Sequence, residues 1–115
     1  MTLFTDGVQS ALERAMDGVA MRQRMSAQNI ANVMTPGYRA QQVSFEGNLQ
    51  SALAQGNDAS RIGIDVADSG APVDESGNSV DLATESTTMM RSGLQYEALV
   101  QATNYRLSLL RSALR

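Results

Sequence analysis

Carboxylates, hydroxyls and arginines are the only side chains of ordinary catalytic chemistry in these 115 residues, because histidine, cysteine, lysine and tryptophan are all absent. Without imidazole or thiol there is no Ser/His/Asp triad, no thiolate nucleophile, no structural zinc site and no disulfide. Without lysine there is no glycine-rich phosphate loop of the usual kind. A cysteine-free chain is equally at home in any compartment. The one stretch with metal-ligand spacing is DESGNSVDLATE, residues 74–85, where Asp74, Ser76, Asn78 and Glu85 fall at positions 1, 3, 5 and 12 of a calcium loop. Position 6 of such a loop must be glycine for its sharp turn, and here it is Ser79, so an acidic turn followed by a helix cap is the better reading. The acids of residues 58–75 lie in glycine-rich sequence with no sign of an apolar pocket to separate their pKa values. The expectation is no catalytic residue, no metal and no cofactor.

The net charge of −3 hides an asymmetry. Residues 1–39 carry four Arg against Asp6, Glu13 and Asp17; residues 40–87 carry eight carboxylates against Arg61, a balance of −7; residues 88–115 carry four Arg against Glu97, a balance of +3. Thinly spread arginines without stacking aromatics make no nucleic-acid face. The opening MTLFTDGVQS has no basic segment and meets an acid at Asp6, which argues against a cleaved export signal. Runs of apolar residues never exceed three, far short of the roughly 20 a membrane span needs.

The elements that would position any site are helical at both ends. Val8, Leu12, Ala15, Val19, Ile30 and Val33 follow a three-four spacing and predict a helix over residues 6–34, with Asp6 as N-cap. Its stripe weakens at Arg22, Gln23 and Ser26. Pro36 stops it, and Pro36-Gly37 suits a type II turn, followed by an extended segment to residue 46. Residues 47–80 read as a flexible polar linker, in which a pairing of 61–66 with 38–45 is only weakly signalled. A heptad seam then runs through Leu82, Met89, Tyr96, Val100, Leu107, Leu110 and Leu114, predicting a helix over 81–115 capped by Asp81. The fold class is all-α, one unit over 1–115: long terminal helices paired as an antiparallel coiled-coil hairpin around an irregular middle with room for a short β element. Two Phe and three Tyr give a thin core, so such a hairpin needs further helices to cover Leu94, Leu99, Leu109, Met16, Met21 and Met25.

Asn29-Ile30-Ala31-Asn32, two variable residues, then Thr35-Pro36-Gly37-Tyr38 resembles the signature of the bacterial flagellar axial proteins, the family of rod, hook and related subunits. GNSVDLATE (77–85), with Val80, Asp81, Leu82 and Glu85, followed by LQYEALVQATNYRLSLLRSAL (94–114), looks like the proximal rod subunits of that family. Ala83 departs from the acid that the family often has there. Leu99 in Tyr96-Glu97-Ala98-Leu99 stands where one of the two proximal rod subunits has Asn, which with the short length points to the other.

The resemblance implies terminal helices that order on assembly, pair as a coiled coil and pack into the wall of a tube through which later subunits are exported. It implies partners in other copies, other rod subunits and proteins at the base of the basal body: the MS ring, the rod adaptor and the export gate. It places the chain in the rod, crossing the periplasm, exported without a cleaved leader. Asn29 and Asn32 would satisfy helix-end backbone groups, Pro36 and Gly37 would reverse the chain, and Tyr38 would anchor the turn. A helical-hairpin adaptor or export chaperone stays open as the other reading.

Overall fold

The structure is a computed structural model and describes residues 7–115. The N-cap expected at Asp6 lies outside the described residues. The chain forms α1 (Gly7–Ala31), β1 (Gln41–Ser44), α2 (Glu46–Gln55), a 3-10 turn (Ala59–Arg61), β2 (Asp65–Asp68) and α3 (Leu82–Ala113). At 1.5 Å per residue, the 32-residue α3 is about 48 Å long. It starts where expected, with the Asp81 carboxylate accepting from the Ala83 and Thr84 amides at 3.1 and 3.4 Å and from the Thr84 hydroxyl at 2.9 Å. That hydroxyl, followed by the amides, holds the Asp81 carboxyl below its ordinary pKa.

α1 and α3 pack together and run antiparallel. Asn29 meets Glu85 at 3.0 Å, and a Cβ on Gly93 would sit 3.3 Å from Gln23 Nε2, so positions descend on one helix as they rise on the other. The molecule is long, 62 × 26 × 14 Å. Its radius of gyration of 17.5 Å exceeds the about 13 Å of a compact chain of this length.

The middle is more ordered than a polar linker. Residues 47–80 hold most of α2, the 3-10 turn and β2, and β2 pairs antiparallel with β1, Val43 opposite Val66. The expected pairing of 61–66 with 38–45 is therefore present, shifted toward Asp68. The cause is burial against α1: Val43, Phe45, Ala52, Ala59 and Ile62 form the core with Ala11 and Val19 of α1, edged by Leu49 and Ile64. β1, α2 and the 3-10 turn each contribute one or two apolar side chains, too few to show a period in the sequence, and each lies against α1, while β2 is exposed throughout and is held by its pairing with β1.

That core has a tight point. Gly18 is buried in α1, and the buried ring of Phe45 lies directly over it. A Cβ at Gly18 would fall 2.5 Å from Cε1 and 2.7 Å from Cγ of Phe45. Glycine in mid-helix costs about 1 kcal/mol relative to alanine, and here its missing side chain is what lets the ring seat.

Candidate functional site

The residues of the two sequence signatures meet at one end of the helical pair. Proline at position 36 cannot continue α1, and Gly37 takes φ +76, the left-handed conformation that the second central residue of a type II turn requires. The Tyr38 amide donates to the Thr35 carbonyl at 3.2 Å and closes the turn. Reversed in this way, the chain brings Tyr38 and β1 back against Asn29.

Asn29 is completely buried, and its amide has a full set of partners. Nδ2 donates to the Gln41 carbonyl at 2.8 Å and to Glu85 Oε1 at 3.0 Å; Oδ1 accepts from the Tyr38 hydroxyl at 3.1 Å and the Gln41 amide at 3.2 Å. One side chain thereby pairs with the backbone edge of β1 as a neighbouring strand would, while tying the turn and the first turn of α3 to α1. Asn32 acts locally, donating to the Gln28 carbonyl at 2.9 Å and accepting from the Thr35 hydroxyl at 3.1 Å.

Asn78 belongs to the same joint, a role not read from the sequence. Buried in the loop before α3, it donates to the carbonyls of Asn32 (2.9 Å) and Thr35 (2.8 Å) in the turn that follows α1, each of which also takes a backbone amide. Ser79 beside it takes the Ala40 amide on its hydroxyl at 2.7 Å and gives its own amide to Tyr38 at 3.0 Å. The Asp74 carboxylate is occupied by the Ser76 amide and hydroxyl and by the Asn78 amide, and the Ser76 hydroxyl leads in holding its pKa below the ordinary value. Glu85 is turned to Asn29. Asp74, Asp81 and Glu85 thus serve the loop, the α3 cap and the joint, and among the described residues no group of three His, Cys, Asp or Glu could hold a metal.

Arg22, which interrupts the apolar stripe of α1, clamps the other side of β1. It pairs with Glu46 through two bonds of 2.6 and 2.7 Å, donates twice to the Val43 carbonyl at 3.2 and 2.8 Å, and lies 5.1 Å from the Phe45 ring centroid. Hydrogen bonding from Arg22, outweighing partial burial, lowers the Glu46 pKa from its ordinary 4.5 to about 2. A lowered folded-state pKa gives stability that is present above the unfolded value and fades as pH drops toward 2. Solvent screening limits that contribution to about 1 kcal/mol, since the Glu46 side chain is more than half exposed. Glu46→Gln is therefore expected to lower stability at pH 6 and to flatten its decline between pH 4.5 and 2, read by urea unfolding at a series of pH values. An unchanged pH profile would mean that the pair contributes nothing.

The remaining signature and seam residues divide. Ile30 and Val80 are half-buried, Ala31 and Leu82 exposed. Of the seam, Met89, Val100 and Leu110 are half-buried, while Leu82, Tyr96, Leu107 and Leu114 are exposed. The face that α3 turns inward is rotated from the expected one: it runs through Glu85, Ser92, Leu99 and Arg106, with Met89, Thr103 and Leu110 beside them. A cleft of about 510 Å³ opens where α1, β1 and the start of α3 diverge, with Ser26, Gln41, Glu85 and Arg91 in its walls.

No protein-family model matches the chain. Individual proteins do. It is 29% identical to flagellar basal body rod protein FlgB of Bacillus subtilis, over 99% of this chain and 97% of that one. It is likewise 29% identical to FlgB of Borrelia hermsii, over 92% of this chain and 95% of the other. FlgB of Escherichia coli matches at 38% over 50 residues, 44% of this chain and 36% of its own length. Over nearly its whole length, the chain is similar to flagellar basal body rod proteins FlgB.

Proposed function

We propose that this chain is a structural subunit of the bacterial flagellar basal body, in the proximal rod, where copies and other rod subunits pack through their terminal helices. Similarity over nearly the whole chain to proteins named for the basal body rod supports the reading, and one structural observation carries it: α3 and its C-terminal cap leave large apolar side chains open in several directions. Met90, Leu94, Tyr105 and Leu114 are 71%, 73%, 68% and 76% exposed, and Leu107 and Leu109 lie open as well. They point in several directions around the helix, whereas α1 covers a single stripe. Large apolar side chains left open on several sides of a helix call for a covering surface, and on this reading the cover is neighbouring subunits. On this reading the joint at Asn29, Asn32, Thr35–Tyr38, Asn78 and Glu85 fixes the angle at which the helical pair meets the small sheet, and the seam residues left open on α3 face neighbours.

The finer role follows from the same reading: a tubular wall around the export channel that transmits torque across the periplasm and abuts the MS ring, the rod adaptor and the export gate. Among the described residues no helix is long and apolar enough to cross a membrane. Leu94 provides the test, since it is largely exposed and its replacement spares the internal packing. Leu94→Glu is expected to leave the circular dichroism and melting of the purified chain unchanged and to abolish swimming when it replaces the natural copy in the cell. Normal motility with normal rods in that strain would overturn the reading. A helical adaptor would instead form soluble complexes of small fixed stoichiometry, with no role in rod formation.

A further inference from the structure

The cleft where α1, β1 and the start of α3 diverge holds two groups that the chain leaves unmatched. Of the charged side chains in its walls, Arg22 is paired with Glu46, Glu85 is bonded to Asn29 and Asp81 caps α3, whereas Arg91 makes no ion pair or hydrogen bond among the described residues. Ser92, beside it in the wall, is 1% exposed, and its hydroxyl has no partner. Buried polar atoms are almost always paired, so a free one marks a place where the chain by itself is incomplete. Gln41, Gln42 and Gln95 add amides to the walls. An occupant of this cleft therefore brings a carboxylate for Arg91 and further hydrogen-bonding groups. It does not enter as a strand: Asn29 holds both backbone groups of Gln41 and Arg22 holds the Val43 carbonyl, so little of β1 is left to pair with.

The chain itself carries a matching group. Every carboxylate among the described residues except Glu75 accepts a hydrogen bond from within the chain. Glu75 is exposed in a turn over 74–77, which is closed by the Gly77 amide on the Asp74 carbonyl at 3.0 Å. The Gly37 amide on the Ser76 carbonyl, at 2.9 Å, pins that turn to the one at the end of α1. Val73, 48% exposed, stands just before it. A turn fixed in this way loses little conformational freedom on docking. We propose that the 74–77 turn of one copy enters this cleft in a second copy of the chain and sets Glu75 on Arg91. The contact rests on the rod reading above and names one pair of surfaces through which copies meet. Because the two patches differ, the contact is heterologous, and one that does not close on itself extends into a helix. The charge pair sets the register of the turn in the cleft and opposes turn-to-turn and cleft-to-cleft arrangements.

The test uses the full chain and reverses one charge at a time. Both residues are exposed, so Glu75→Arg and Arg91→Glu should keep the circular dichroism and melting of the natural chain. Should either reversal lose its helical signal, Glu75→Gln or Arg91→Gln takes its place. Sedimentation velocity is expected to show self-association of the natural chain below about 1 mM, weakened at least about fivefold by either reversal. A chain carrying both reversals should associate as the natural one does. So should an equimolar mixture of the two single variants, since each then offers the other an unlike charge. Association that ignores both reversals would overturn this contact and leave the rod reading standing. Failure of both the double variant and the mixture to recover would overturn it too. Weakening by Arg91→Glu with Glu75→Arg inert would mean that an acid of another protein fills the cleft, which would overturn the second copy as its occupant. A natural chain that stays monomeric up to about 1 mM would overturn the contact, while the Leu94→Glu motility result would decide the rod reading separately.

Discussion

Asn29→Ala is expected to cost the folded chain about 3 kcal/mol, which for a domain of this size lowers the melting temperature by well over 10 °C. The substitution removes four hydrogen bonds at once, those to the Gln41 carbonyl and amide, the Tyr38 hydroxyl and Glu85 Oε1. The larger part of the cost lies in what remains. Glu85 is buried, and losing its donor leaves a carboxylate in a site it entered only because Asn29 met it. Asn29→Asp isolates the electrostatic part. It keeps the two accepted bonds but sets a carboxylate against the Gln41 carbonyl and against Glu85, so it should destabilise at least as much as Ala at neutral pH. Adding Glu85→Gln restores a donor opposite the new acid, and the double variant should recover part of the loss. Thermal and urea unfolding of the natural chain, Asn29→Asp, Glu85→Gln and the double variant complete a double-mutant cycle. A loss below about 1 kcal/mol for Asn29→Ala would mean that water replaces the amide and that the joint is not held by this side chain.

Gly18→Ala tests the opposite kind of constraint, one of space. In a free helix the change gains about 1 kcal/mol. In α1 it would put a methyl inside the Phe45 ring, which cannot withdraw, because it is 3% exposed and has the Arg22 guanidinium over its face. Overpacking of a close-fitted core costs roughly 1–3 kcal/mol, so against the helix gain the net expectation is a loss of up to about 2 kcal/mol, larger for Gly18→Val. Phe45→Leu in the Gly18→Ala background makes room and should be less harmful there than in the natural chain. A stabilised Gly18→Ala would show that α1 and β1 can separate freely at this point.

The two terminal helices, the Pro36-Gly37 turn and the Asp81 cap were legible because each rests on local rules: spacing, a fixed φ and a side chain that reaches its own backbone. The small middle elements were not, since Val43, Phe45, Ala52 and Ile62 become a core only when α1 lies beside them. The inward face of α3 was illegible for another reason. Hydrophobic periodicity selects the most apolar line on a helix, and α3 has several such lines. The face it turns to α1 instead carries Glu85 and Ser92, chosen by hydrogen bonding and close approach. Asn29 could be picked out by its place in a signature, whereas its four partners and the matching part of Asn78 required the turn and the loop to be seen together. Arg22 was noted as a defect in a stripe, and it is the clamp that holds β1 and α2.

The bonds of the joint also set when the chain can fold. They join Ala40 to Ser79, Thr35 and Asn32 to Asn78, and Asn29 to Glu85, spans of 39, 43, 46 and 56 residues. Contacts so distant along the chain must wait until the intervening segment exists and has been drawn together, and the entropy of that closure is met before any of the bonds can repay it. A growing chain in which residues 78–85 are not yet free therefore lacks the latch for its first half. The arrangement delays folding of the first half until residues 78–85 can reach it, so the joint closes in one late step and not piece by piece.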